Sequence, residues 1–149
     1  MAEFNAGVTP AGKGLDGIVW NILGQTYVPK SHCASSFSWD ATFPPGTFVP
    51  PHTHPDQDEF ILVHDGTFDL MLDGAPDKAG PGDTILLPRG IVHGIFNNGD
   101  KAVRCHFWVS PTQKLFDLFT KIHNVDDPAR VVAIAAEHNI HFAPPPSEG

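Results

Sequence analysis

Glycine and proline divide this chain into short segments, and that division constrains the fold more than any other feature. Fourteen glycines and 15 prolines occur among 149 residues, and the stretches between them are rich in β-branched and aromatic residues. One stretch, residues 36–43, alternates polar and apolar side chains, which predicts a strand with one buried face. Short strands with frequent turns are typical of a sandwich or closed barrel, so we expect an all-β fold of roughly eight strands.

The chain has the length of one well-buried domain. We expect an N-terminal arm over residues 1–15, a barrel over residues 16–110, a helical segment over residues 111–142 and a flexible tail over residues 143–149. The three glycines and the polar composition of the arm argue against a packed element there, and the tail "APPPSEG" has little to bury.

Two helix starts are predicted after residue 109. Ser110, Pro111 and Gln113 have the spacing of a capping box with proline at the first helical position. Asp127 and Pro128 repeat the arrangement of cap and proline. The second helix is expected to pack on the barrel through an apolar stripe made of Val131, Val132, Ile134 and Ala135. We expect both helices to be structural.

Charge and composition exclude several kinds of partner. The formal net charge is −8 and there is no basic run, so neither nucleic acid nor an anionic membrane is an expected partner. The first residues lack the pattern of a secretory signal, and no apolar run is long enough to span a membrane, so we expect a cytoplasmic protein. The two cysteines do not form a CxxC pair, which argues against a disulfide framework or a cysteine zinc site.

The stretch "VPPHTHPDQDEF", residues 49–60, carries the first candidate metal ligands. His52 and His54 lie two residues apart, so in a strand both imidazoles point to one face. Such a pair alone is more often incidental than a metal site. A carboxylate nearby favours a metal, and Glu59 is the strongest candidate, with Asp56 and Asp58 as alternatives that fit a solvated turn better.

A third imidazole is supplied by "GDTILLPRGIVHGIFNN", residues 82–98. His93 follows a turn and lies between two isoleucines on one strand face, where a lone histidine is usually a core residue. The two imidazoles and the carboxylate of the earlier stretch make the ligand interpretation the better one.

Both stretches resemble the two sequence motifs of the cupin superfamily at every spacing. The first motif is matched by Gly46, His52, His54, Glu59 and Gly66. The second is matched by Gly82, Pro88, Gly90, His93 and Asn97. Fifteen residues, 67–81, separate the motifs, which is similar to compact single-domain members.

The resemblance implies a double-stranded β-helix, or jelly-roll barrel, with a metal inside its mouth. His52, His54, Glu59 and His93 would be the ligands of one divalent transition metal, which could be Fe, Mn, Ni, Co, Cu or Zn. Since cupins commonly pair through sheet edges, the resemblance also implies a homodimer.

The arrangement of motifs and helical tail is similar to small cupins related to quercetin dioxygenases. That resemblance implies a small-molecule substrate and dioxygen, with cleavage of an aromatic enol and Glu59 as both ligand and catalytic base. Cupins with the same ligands also catalyse redox-neutral lyase or isomerase reactions, such as hydroxynitrile cleavage, and others bind a small molecule without turnover.

Several apolar and aromatic residues could line a substrate cavity, and each could equally be ordinary core. In the stretch 103–109, His106 and Trp108 share one face and Cys105 and Phe107 the other, and the sequence leaves open which face looks inward. The candidates for substrate contact are Phe37, Trp39, Phe48, Ile61, Ile95, His106 and Trp108.

Overall fold

The computed structural model describes residues 6–143. The first five residues of the predicted arm and residues 144–149 of the predicted tail lie outside the described residues. Within the described range the chain forms eleven strands and two α-helices. The strands form two antiparallel sheets that pack face to face, which confirms the predicted all-β jelly-roll class.

The strands are β1 (Trp20–Ile22), β2 (Gln25–His32), β3 (Phe37–Phe43), β4 (Phe48–Thr53), β5 (Asp58–Asp65), β6 (Phe68–Leu72), β7 (Ala75–Ala79), β8 (Thr84–Leu87), β9 (Val92–Phe96), β10 (Val103–Ser110) and β11 (His141–Phe142). The helices are α1 (Leu115–Ile122) and α2 (Pro128–Glu137). Sheet 1 has the strand order β1-β2-β3-β10-β5-β8, and sheet 2 has the order β11-β4-β9-β6-β7. Neither helix in the described part of the chain combines the length and hydrophobicity that crossing a membrane requires.

The register of sheet 1 decides which side chains enter the core. Trp39 of β3 lies opposite Phe107 of β10, which lies opposite Ile61 of β5. All three are buried, so they form one inner row across the sheet. Because neighbouring residues on a strand point to opposite faces, His106 and Trp108 lie on the outer face.

β7 is a strand that the sequence pattern does not predict. Four of its five residues are exposed, and it pairs only with β6 at the edge of sheet 2. The turn that precedes it has Asp73 and Gly74 at φ values of 50° and 83°, as a two-residue hairpin turn of type I′ requires. Pro76 and Lys78 are residue types that protect an exposed edge strand from pairing with another chain. They also interrupt the apolar alternation by which a strand is recognised in a sequence.

α2 begins as predicted. The Asp127 carboxylate accepts a hydrogen bond of 3.0 Å from the backbone N–H of Ala129, and Pro128 occupies the first turn. Val131 and Ala135 are buried against the rest of the protein. Val132 is 41% exposed, so its predicted place in the apolar stripe is wrong.

α1 does not begin at the predicted capping box. Ser110 is still part of the sheet, where it pairs with Asp58, and its hydroxyl donates to the carbonyl of Ser35. Gln113 has a φ of 50°, which lies outside the helical region. The helix therefore starts only at Leu115, after a short connection. Sheet pairing, which is long-range, has overridden the local capping signal.

The C-terminal segment covers one end of the barrel. β11 pairs with β4, so that Phe142 lies opposite His52. α1 buries its apolar face, which consists of Leu115, Leu118, Phe119 and Ile122. β11 therefore borders the strand that carries the first histidine motif, and α2 packs on β11.

Candidate metal centre

Two neighbouring strands of sheet 2 supply the three histidines. In the pairing of β4 with β9, His52 lies directly opposite His93, which places their side chains on the same face of the sheet. Their ring centroids are 4.3 Å apart. His54 follows β4 on the same face, with its ring centroid 5.0 Å from that of His52.

Glu59 reaches the histidines from the opposite sheet. β4 belongs to sheet 2 and β5 to sheet 1, so the turn between them crosses from one sheet to the other. Glu59 is the second residue of β5 and is buried. Asp58 instead binds the guanidinium of Arg89, and Asp56 accepts from the side chain of Asn139. Asp56 thus lies in the turn and Asp58 begins β5, and neither belongs to the cluster.

The four side chains form one buried cluster. Each can present a ligand atom, and these atoms lie within 4.8 Å of one another. His93 Nε2 lies 3.1 Å from Glu59 Oε2. This contact lacks hydrogen-bond geometry, and Glu59 Oε2 and both His93 nitrogens have no hydrogen-bond partner among residues 6–143. Buried polar atoms are rarely left in this state. Donor atoms that converge on a shared point without bonding to one another fit a divalent metal ion.

Hydrogen bonds from the back of each ring orient two of the histidines. The Nδ1–H of His52 donates to the carbonyl of Pro50 at 2.8 Å, and the Nδ1–H of His54 donates to Gln57 Oε1 at 2.6 Å. In each ring the proton on Nδ1 leaves Nε2 with a free lone pair. Such bonds fix the tautomer and the orientation of metal-binding imidazoles.

Gln57 is a residue of the candidate site that the sequence analysis missed. It is 3% exposed, although its turn "PDQD" has the composition of a solvated loop. Its amide nitrogen donates to the carbonyls of Pro111 and Thr112, both at 2.9 Å. This leaves its oxygen as the atom that faces His54. One signal was available in the sequence, because Gln57 has the same parity as Glu59, Ile61 and Val63 along the β5 stretch, and all three are buried.

Glu59, His52 and His54 have the protonation states that a metal requires. Burial raises the pKa of Glu59, but the nearby rings of His54 and His93 lower it more, and the net pKa is about 2. Burial is also the main reason that the pKa values of His52 and His54 are lowered from 6.5. At neutral pH the carboxylate is therefore ionised and these two imidazoles are neutral, as metal binding demands.

A narrow cavity adjoins the cluster. Its volume is about 50 Å³, and its wall includes His52, His54 and Glu59. Trp39 and Ile95, two of the predicted substrate contacts, line it as well. The C-terminal segment, which was expected to be only structural, supplies a large part of the wall through Leu115, Leu118, Phe119, Ile122, Val131, Ala135, Ile140 and Phe142.

Three of the predicted substrate contacts lie away from the cavity, because their side chains are on the outside of the barrel. Phe48 is 47% exposed and stacks on Phe96. Trp108 stacks on Phe60, and His106 pairs with Asp40. Two more, Phe37 and Ile61, are buried in the core, and neither is among the residues that line the cavity.

Comparison with known proteins agrees with this architecture. Residues 39–110 match the cupin domain, and this match includes the four residues of the cluster. The chain belongs to the cupin superfamily. Among solved structures, it is similar to an RmlC-like cupin from Shewanella frigidimarina NCIMB 400, with a TM-score of 0.57 and 18% sequence identity. That similarity covers 78% of this chain and 96% of the other, and at this identity it shows the fold.

Two relatives share part of the sequence. Protein SchB of Streptomyces halstedii is 33% identical over 84 residues, which are 56% of this chain and 61% of SchB. Polyketide synthase CurC of Streptomyces cyaneus is 31% identical over 77 residues, which are 52% of this chain and 50% of CurC. The chain therefore matches less than two thirds of either relative. It is a cupin whose four buried residues can hold a metal ion.

Proposed function

We propose that this cupin is a metal-dependent dioxygenase that acts on a small enolic or aromatic molecule. One observation carries the proposal. In the cluster of three imidazoles and one carboxylate, His52, His54 and Glu59 line a narrow cavity whose other walls are almost entirely aliphatic and aromatic side chains.

The apolar wall favours this chemistry over reactions of strongly polar substrates. A sugar needs many hydrogen-bonding partners, because each hydroxyl buried without one is costly. Apart from the cluster, the wall offers few such groups, and the hydroxyl proton of Tyr27 is already donated to Gln25 Oε1 at 2.9 Å. Dioxygen and a flat enol have little polar surface to satisfy. An apolar wall also keeps water away from reactive species.

The residues have separable tasks in this proposal. His52, His54, Glu59 and His93 would hold the metal, which would supply Lewis-acid and redox chemistry. Glu59 would also be the base, and an enol offers it an acidic hydroxyl proton that an ordinary alcohol does not.

The size of the cavity limits the substrate. Pockets for drug-sized ligands have volumes of about 300–1,000 Å³, whereas this cavity has about 50 Å³. A flavonol is too large for that space, so we propose a smaller enol than the quercetinase resemblance implies. The relative CurC carries the name polyketide synthase, and this supports an enolic substrate, since chains of alternating ketones enolise readily.

Oxygen uptake tests the proposal. Protein loaded with Fe, Mn, Ni, Co or Cu is given small enols, such as acetylacetone and tropolone, in an oxygen electrode. We expect uptake by the wild type and by Trp108→Phe, whose side chain lies on the outer face, and no uptake by His93→Ala. Product formed at full rate without oxygen would replace the dioxygenase by a lyase or isomerase. Thermal stabilisation by the enol without any product would indicate a binding protein.

A further inference from the structure

The indole N–H of Trp39 is buried without a hydrogen-bond partner. The residue is 1% exposed. Of the side-chain nitrogen and oxygen atoms in the described chain, four are buried and unpartnered, and three of them belong to Glu59 and His93. The fourth is Trp39 Nε1. It is thus the one such atom in residues 6–143 that the metal cluster does not explain.

The place of Trp39 in the fold suggests what the donor is for. Tryptophan in a core normally satisfies its N–H, and an unpaired buried donor needs a reason. The indole packs against Phe107 and Phe119, with ring centroids 5.0 and 5.1 Å away, so it is held rigidly. Trp39 also lines the same narrow cavity as His52 and Glu59. The indole that carries this unpaired donor therefore borders the same small apolar space as the metal cluster.

We propose that Trp39 Nε1–H is a substrate-binding donor that selects ligands carrying an oxygen acceptor beside the group held at the metal centre. This inference rests on the proposed function for the presence of a small oxygenated ligand. Other donors in the wall are already committed, because the Tyr27 hydroxyl donates to Gln25 and the Nδ1–H groups of His52 and His54 donate to Pro50 and Gln57.

The proposal names a ligand class. The ligand has two oxygens, one for the metal centre and one that accepts from Trp39, and its remaining surface is apolar. Because an indole N–H can only donate, a carbonyl or enolate oxygen fits the second position. An amine or ammonium group at that position would place its own N–H donors against the indole N–H, so a ligand with such a group should bind more weakly.

Zinc-loaded protein provides the test, since zinc has no redox chemistry and binding is then measured apart from oxygen use. The three tryptophans give three indole N–H signals in a ¹H–¹⁵N spectrum, assigned from the variants Trp39→Phe and Trp108→Phe. Acetylacetone, which carries two acceptor oxygens, is the probe. We expect it to move the Trp39 signal downfield and to leave the Trp108 signal in place.

Affinities provide the second readout. In Trp39→Phe we expect acetylacetone to bind about tenfold more weakly, as the loss of one hydrogen bond predicts. Azide, a small anion that needs only the metal, should bind the variant as it binds the wild type. Trp108→Phe should be unchanged for both. If Trp39→Phe does not fold, Trp20→Phe completes the assignment and the wild-type spectrum decides.

Three results would overturn the inference. The first is an unmoved Trp39 signal or no binding of acetylacetone to the wild type. The second is equal weakening of acetylacetone and azide in Trp39→Phe, which would show that the ring only supports the fold of the site. The third is unchanged affinity for both probes. A Trp39 signal that responds in a protein that never consumes oxygen would leave this inference standing and remove the dioxygenase proposal.

Discussion

Gln57 links a metal-binding histidine to the C-terminal segment, and replacing it should damage both. Its amide makes three hydrogen bonds, one accepted from His54 and two donated to the carbonyls of Pro111 and Thr112. Gln57→Leu keeps nearly the same volume and removes all three. Gln57→Glu keeps an acceptor for His54 and sets a carboxylate oxygen against the two carbonyls. The two variants therefore separate the orientation of the histidine from the anchoring of the segment.

The magnitudes follow from the burial of these bonds. Three lost hydrogen bonds at roughly 1 kcal/mol each, with partners left partly unpaired, should lower the free energy of unfolding of metal-free Gln57→Leu by about 2–4 kcal/mol. The loss of a bond that orients a metal ligand usually weakens metal binding by about 10–100-fold. We expect that loss for Gln57→Leu. For Gln57→Glu we expect a similar loss of stability but less than about a tenfold loss of metal affinity.

Urea unfolding of the metal-free proteins and calorimetric titration with zinc measure the two effects. Gln113→Leu is the matched control, because Gln113 is an exposed glutamine in the same connection, and it should behave like the wild type in both assays. Wild-type zinc affinity in Gln57→Leu would refute the idea that this amide fixes His54. Equal zinc affinities in the Leu and Glu variants, both reduced, would show that the anchoring of the segment matters more than the acceptor.

Two further predictions concern the cluster itself. His52→Ala and His93→Ala should bind the metal more than about 100-fold more weakly. Both should stay folded, since neither His93 nitrogen makes a hydrogen bond within the described chain. Elemental analysis with circular dichroism checks this, and full metal occupancy in both variants would contradict the ligand assignment. The metal-free protein should lose stability on acidification below pH 6.5, because burial lowers the pKa values of His52 and His54 from 6.5 and the unfolded chain then binds protons that the folded chain does not. Urea unfolding at about pH 7.5 and about pH 5.5 measures this dependence, which His52→Ala should reduce and which a flat profile would rule out.

The sequence alone predicts the parts of this protein that depend on local pattern. Alternation along a strand pairs His52 with His54, and the resemblance to the cupin motifs adds Glu59 and His93 and implies the jelly roll. The all-β class and the start of α2 at Asp127 follow from local signals. The homodimer implied by the resemblance stays a prediction.

What the sequence could not predict depends on contacts between distant residues. Gln57 looks like a turn residue until the carbonyls of Pro111 and Thr112, 54 and 55 positions away, are brought beside it. His106 and Trp108 were candidates for the cavity because alternation gives two faces without saying which is inner, and only the pairing of β10 with β3 and β5 decides. Ser110 has the residue type of a helix cap but pairs in the sheet.

The connection between β10 and α1 makes the metal centre and the cavity wall depend on each other. Two hydrogen bonds fix Thr112 to the segment before β3. Its N–H donates to the carbonyl of Ala34 and its hydroxyl donates to the carbonyl of Cys33. Its own carbonyl then receives the Gln57 amide that orients His54. Three residues later Leu115 begins α1 and enters the cavity wall. A substitution that enlarges the cavity by shifting α1 therefore also displaces the Thr112 carbonyl, and with it the Gln57 amide that orients His54. The size of the substrate and the geometry of the metal centre are thus coupled.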